Sequence, residues 1–181
     1  MIERIIGVFR LDADTFEQIE HDESAMPQAA MIVLAVAVAS GIGGLIGALI
    51  GDGNAIMAFV GSVIAAFVGW LVWSAAVWFV GTTFFEGQAD MGEMLRVVGF
   101  AYTPQLLGFF GFIPCIGWLF SLAGWVWSLA AMVVALREGL DVDTGKAIVT
   151  AIIGWVVVVV LNVVVGLIFG GLAIAGSLLA G

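Results

Sequence analysis

Two patterns of apolar and polar positions divide this chain. Residues 1–26 interleave apolar side chains with acids, whereas beyond Pro27 polar positions only punctuate long apolar runs. A helix needs about 20 mostly apolar residues to cross a hydrocarbon core about 30 Å thick. The runs at 27–50, 55–81, 91–113, 116–136 and 147–169 have that length. Gly51-Asp52-Gly53-Asn54 and the stretch from Pro114 to Gly117 read as tight turns between them. Pro27 suits a helix start, where its missing N–H has no partner to lose. The tail from Gly170 is too short for a sixth crossing and reads as a frayed extension or an interfacial segment. The expected fold class is all-α: a polytopic integral membrane protein whose five-transmembrane-helix bundle, residues 27–181, follows an N-terminal amphipathic segment, residues 1–26.

In that segment Ile2, Ile5, Ile6 and Phe9 recur at one-face helical spacing, and Phe16 and Ile19 continue the pattern. The stripe predicts a helix lying on the inner membrane surface or packed under the bundle. Its seven acids weaken attraction to anionic lipid, so packing on the protein is the expectation. A signal peptide opens with a basic region and a short apolar core. The first long run here lies behind an acidic stretch, so the first hydrophobic segment is expected to be a permanent span.

Composition strengthens the membrane reading and removes other classes. Hydrophobic residues make up 63% of the 181, charged residues 10%, and mean hydropathy is +1.21. An ordinary soluble domain is about 25% charged. Net charge is −9, with no basic stripe for nucleic acid. One cysteine, Cys115, and one histidine, His21, leave no disulfide framework, thiolate cage or multi-histidine site within one chain. No cofactor or metal is expected.

The five basic residues fix the expected topology. Arg4 and Arg10 precede the first run, Arg96 opens the third, and Arg137 and Lys146 flank the loop between the fourth and fifth. Five crossings with a cytoplasmic N-terminus put all of them inside, as the positive-inside rule favours for short loops, and leave the C-terminus outside the cell membrane. Asp90-Met91-Gly92-Glu93 has capping-box spacing, and Asp143 or Thr144 can cap the last run.

Candidate chemistry is thin. Asp141-Val142-Asp143-Thr144-Gly145 fails as a calcium loop, because Gly145 and Ile152 stand where oxygen ligands belong. Gly139 to Lys146 fails as a phosphate loop by one extra residue and by Ala147 in place of a hydroxyl. His21 between Glu20 and Asp22 reads as a solvated residue of an acidic linker. No charged residue falls in the middle of a run, where an ion-coupled transporter usually keeps one.

What remains within the runs is uncharged (Ser62, Ser74, Tyr102, Thr103, Gln105, Ser121, Ser128 and Asn162), and Tyr102-Thr103-Pro104-Gln105 is the best candidate for a kinked polar locus, because Pro104 removes a backbone hydrogen bond near residue 100. Together with Asn162 it would line a small ligand or lipid pocket; the competing reading is a packing kink satisfied by neighbouring helices. Gly43, Gly47 and Gly51, and Gly166 and Gly170, are spaced for close helix contact, within the bundle or between copies. Trp78 and Trp118 are expected near the interfaces. Trp125 and Trp127 fall deeper, where an indole N–H wants a partner.

These pieces resemble the Yip-domain family, five-span membrane proteins named for eukaryotic members that interact with Rab-type (Ypt) GTPases. The resemblance covers about Ile5 to Phe169. It rests on Asp14-Thr15-Phe16-Glu17-Gln18-Ile19, on Gly87 leading to Glu93-Met94-Leu95-Arg96-Val97-Val98-Gly99-Phe100-Ala101-Tyr102-Thr103-Pro104, and on Pro114, Trp127 and Lys146-Ala147-Ile148. The eukaryotic branch carries a long cytosolic region with an Asp-Leu-Tyr-Gly-Pro-type motif. This chain lacks it, so Rab-type GTPase binding does not carry over. The resemblance implies membrane organisation or trafficking rather than catalysis. With no nucleophile–base or metal constellation, the expected function is a non-enzymatic membrane scaffold or partner-binding protein, in contact with membrane lipids and with a second copy or another membrane protein. The alternative is a small-molecule, ion or lipid transporter that uses the kinked third run.

Overall fold

A computed structural model of the chain describes residues 1–50, 54–113 and 115–180, and the side-chain surroundings of all these but 43–50, 55, 58, 111, 112, 162 and 164–180. Among the described residues the fold is all-α. The helices are α1 (Ile2–Phe9), α2 (Ala13–His21), α3 (Ala25–Ile50), α4 (Ala55–Phe84), α5 (Met91–Ala101), α6 (Gly117–Gly139) and α7 (Thr144–Ala180), with a 3-10 segment (Thr103–Phe112) after α5. Within the described residues α3, α4, α6 and α7 are long and apolar enough to cross a membrane.

The third expected run departs from a single α-helix. It divides into eleven residues of α5 and ten of 3-10 helix. At their usual rises these cover about 16 Å and about 20 Å. Pro104 is the cause, since its ring and missing N–H forbid the next α-helical turn. Elsewhere the helices overrun their expected ends: α3 starts at Ala25, which leaves Pro27 in its first turn, and α7 carries the tail on to Ala180.

Local rules place the ends. Asp90 and Glu93 close a reciprocal capping box, Glu93 N–H to Asp90 Oδ1 at 2.8 Å and Asp90 N–H to Glu93 Oε2 at 2.6 Å. Asn54 accepts from Met57 N–H at 3.1 Å, and Asp143 accepts from Gly145 and Lys146 at 2.9 and 3.1 Å. Helices α1 and α6 end alike: Asp12 and Leu11 N–H bond back to Gly7 and Val8, and Val142 and Asp141 N–H to Arg137 and Glu138. The pattern needs a left-handed residue, and Leu11 (φ 57°) and Asp141 (φ 53°) supply it without glycine.

Helix α5 is the axis of the bundle. It packs on α2, α3, α4 and α6, and Met94, Val97, Val98, Phe100 and Ala101 are fully buried. The 3-10 segment continues between α3 and α6, and α7 closes the far side across α4 and α6. Two indoles of α4 fix the start of the axis, Trp70 donating to Leu95 O at 3.1 Å and Trp78 to Ala89 O at 3.0 Å. Gln88 N–H donates to Leu140 O at 3.0 Å, so the α4–α5 and α6–α7 linkers sit at one end of the bundle. The outside is apolar: Ile64, Phe79, Trp118, Trp125, Ile152 and Trp155 are all exposed, as lipid contact requires.

Candidate functional site

Two places gather polar side chains against this apolar background: the break after α5 and the seat of the N-terminal helices.

At the break, Pro104 has no N–H for the carbonyl of Phe100. The hydroxyl of Thr103 donates to that carbonyl at 2.6 Å. The next freed carbonyl, Ala101, accepts from the hydroxyl of Ser128 on α6 at 2.8 Å, and Gln105 Nε2 donates to Ser128 Oγ at 3.2 Å. A membrane helix can break only where such groups are re-satisfied. Helix α6 comes close enough to do this because it presents Gly124, where a Cβ would lie 2.6 Å from the Pro104 carbonyl oxygen. The break is therefore held from outside itself, by two residues of α6.

Tyr102 and Gln105 also line a cavity of about 220 Å³ with Ser40 of α3, Ser62 of α4, and Val33, Val36, Ala37 and Ala66. Four of the five residues singled out for the polar locus thus divide in role. Thr103 and Pro104 build the break, and Tyr102 and Gln105 also face the cavity. The side-chain surroundings of the fifth, Asn162, lie outside the described residues, as do those of Gly43, Gly47, Gly166 and Gly170; Gly51 lies outside them altogether. Close helix contacts appear at other glycines, with Gly99 against Ala29 of α3 and Gly154 against Val77 of α4.

The second place is the hairpin of α1 and α2. Phe16 and Ile19 are fully buried, as their pattern predicts, and α2 packs on α5 and α6. Helix α1 packs with only part of the expected face: Ile5 lies half-buried against the core and Phe9 is half-buried. Val8 and Gly7 are buried, while Ile2 and Ile6 are 74% and 45% exposed. Gly7 sets the contact: the side chain of Thr15 on α2 occupies the space a Cβ would need there, so the two helices meet at Gly7, and Ile2 and Ile6 turn outward. Trp127 finds its partner in this hairpin, donating to Phe9 O at 2.9 Å. Arg4 closes the hairpin onto α3, paired with Asp22 and bonded to Gln28 Oε1 at 3.3 Å. Asp22 is held down to about 2, first by the Ser24 hydroxyl and then by Arg4.

The sequence marks Arg96 only as a charge at the start of the third run. In the fold it is 7% exposed, and its Nε donates to the main-chain carbonyl of Glu20 at 3.0 Å, with Nη2 on the same oxygen. That carbonyl lies in the last turn of α2, where helix carbonyls lack partners and a cation suits the dipole. The Glu20 side chain is 4% exposed. Burial first, and then the charge of Asp141, push its carboxyl from 4.5 up to about 7. Exposed His21 is raised too, chiefly by its Nδ1 contact with the Glu17 carbonyl and then by Glu20. Neither Arg96 nor Glu20 carries a sequence signal beyond its charge. Among the described residues no group of three or more acids, histidines or cysteines is placed to hold a metal ion.

The family model described as the Yip1 domain matches residues 6–166, from within α1 through the break and into α7. No curated protein and no solved structure matches the chain. The family match covers most of the chain, which therefore belongs to the Yip1-domain family.

Proposed function

We propose that this Yip1-domain protein is a non-enzymatic membrane scaffold that takes a partner at the hairpin end of its bundle. Its family is in general one of non-enzymatic membrane proteins. The observation that carries the reading is the docked hairpin itself. Two short helices, too short to be stable alone, are fixed to the bundle by Phe16, Ile19 and Arg96, and turn Glu3, Asp14 and Glu17 to the outside, with Glu23 exposed in the link that follows them. The same end holds the Asp90 and Asp143 caps, through the Gln88–Leu140 bond between the linkers. An acidic surface seated on the bundle fits a basic segment of a soluble or membrane partner. Lipid covers the apolar flanks.

The reading takes α5 and the 3-10 segment together as a fifth crossing, with the hairpin in the cytoplasm and the C-terminus outside. Its support is that the chain leaves the linker end at Met91 and comes back to it along α6. All five bases then lie on the inner side. A photo-crosslinker placed at the exposed Gln18 of α2 in cells is expected to give a discrete adduct. Changing Glu3, Asp14 and Glu23 to Gln, Asn and Gln should weaken that adduct at least tenfold. An adduct untouched by the three changes, or repeated recovery of the protein alone and monomeric from mild detergent, would contradict the scaffold reading.

One observation favours a second reading, a transporter of a small solute, an ion or a lipid through the third run: the cavity that opens on Tyr102 and Gln105 at membrane depth. On that reading Gln105→Leu, which removes both the bond to Ser128 and a polar wall, lowers solute flux into proteoliposomes by tenfold or more. Flux equal to wild type in a folded Gln105→Leu protein would remove the support for it.

A further inference from the structure

The seat of α2 holds a carboxylate that its strongest neighbouring cation does not serve. Arg96 spends two donors on the main-chain oxygen of Glu20, and the Glu20 carboxyl has neither an ion pair nor a hydrogen bond among the described residues. The two ion pairs found there are Arg4–Asp22 and Arg137–Glu138. Around the carboxyl stand Asp141 from the α6–α7 linker, Glu93 from α5, and Glu17 and His21 from α2 itself. Asp141 follows α6 with a left-handed backbone, its N–H bonded to the Glu138 carbonyl, and the bond from Gln88 to Leu140 ties this linker to the start of α5. The docked hairpin thus buries, at 4% exposure, an acid that has no partner of its own among the described residues.

We infer that Glu20 is a proton-operated latch for the N-terminal hairpin: with Glu20 neutral, α2 seats fully on α5 and α6; with Glu20 ionised, repulsion from Asp141 and Glu93 loosens it. Undocking carries Glu20 into water, where the carboxylate is hydrated and its neighbours are distant. Arg96 grips the main-chain carbonyl of Glu20 and not its carboxyl, so it sets a floor for docking and not its pH dependence. His21 opposes the effect only partly, because it is exposed and bonded within its own helix.

The sign follows from linkage. A docked carboxyl that titrates at about 7, against 4.5 when free, binds its proton more tightly when docked. The extra docking is complete below about pH 4.5, fades as pH rises, and is gone above about pH 7. Across that window the docking equilibrium falls on the order of a hundredfold. The latch is separate from the scaffold reading, since it requires no partner.

The test is amide hydrogen exchange of the full chain in phosphatidylcholine nanodiscs from pH 5 to pH 8, corrected for intrinsic rates. Protection of α2 amides from Phe16 to His21 is expected to drop on the order of a hundredfold relative to α4 amides. In Glu20→Gln, protection should stay at the low-pH level throughout. In Asp141→Asn, the drop should remain with its midpoint moved to lower pH, a readout that does not depend on the Gln variant folding. Protection in wild type that is flat with pH, an unchanged drop in Glu20→Gln, or a midpoint unmoved in Asp141→Asn each overturns the latch.

Discussion

Phe16→Ala releases the N-terminal hairpin. Phe16 is fully buried where α2 meets α5 and α6, and truncating such a side chain costs about 3–5 kcal/mol. The loss is local, because α2 has nine residues and α1 eight, and isolated helices of that length are not stable in water. With the anchor gone, trypsin should cut at Arg4 and Arg10 at least a hundredfold faster than in wild type, while α4 amides keep their exchange protection. The contrasting variant is Ile2→Ala. Ile2 belongs to the same apolar stripe but is 74% exposed, so cleavage rates within twofold of wild type are expected. Equal sensitivity of the two variants would contradict the packing described for the hairpin.

Gly124→Ala has the second large effect. The added methyl meets the Pro104 carbonyl oxygen at 2.6 Å and the Leu107 side chain at 3.2 Å. Backbone cannot rotate aside as a side chain can, so α6 must back away from the break. That move stretches the bond from Ser128 to the Ala101 carbonyl, and overpacking of this kind costs about 1–3 kcal/mol. A lowered melting temperature in detergent is the readout, with Gly61→Ala as reference. Gly61 lies in α4, where an added methyl would have nothing within 4 Å, and alanine there gains helix propensity of up to about 1 kcal/mol. A Gly124→Ala protein as stable as the Gly61→Ala protein would mean that α6 does not hold the break.

Much of this architecture can be read from the chain because it depends on local rules. The apolar runs, the Asp90 capping box, the Asp143 cap and the disruption at Pro104 follow from residue types a few positions apart. The extent of the 3-10 segment does not. Pro104 forbids one α-helical turn, but ten residues of tighter helix persist because α3 and α6 pack on both sides. The orientation of α1 is tertiary in the same way. Ile2 and Ile6 of its periodic stripe face out because Gly7 lets Thr15 approach beside them, while Ile5 keeps a half-buried place on the core. Arg96 illustrates the limit most clearly. Its position near the start of an apolar run suggests an interfacial charge, and only the return of α2 over α5 makes it a buried clamp on Glu20. Of the candidate site, Pro104 announces the break, while Ser128 and Gly124, which complete it, lie on another helix and carry no mark of that role.

The proposed partner surface depends on which end of the bundle faces the cytoplasm and on the third run crossing the membrane. Both are read by one labelling measurement in intact cells, on the Cys115→Ser background. A cysteine at Asn54, at the start of α4, should react with an impermeant maleimide added outside. A cysteine at Asp141, beside the hairpin, should react only after the membrane is opened. That pair of results puts the acidic hairpin end inside and requires an odd number of crossings between the two positions. The reverse pattern would put the hairpin outside and remove the proposed partner surface from the cytoplasm, and labelling of both positions from outside would show that α5 and the 3-10 segment do not cross.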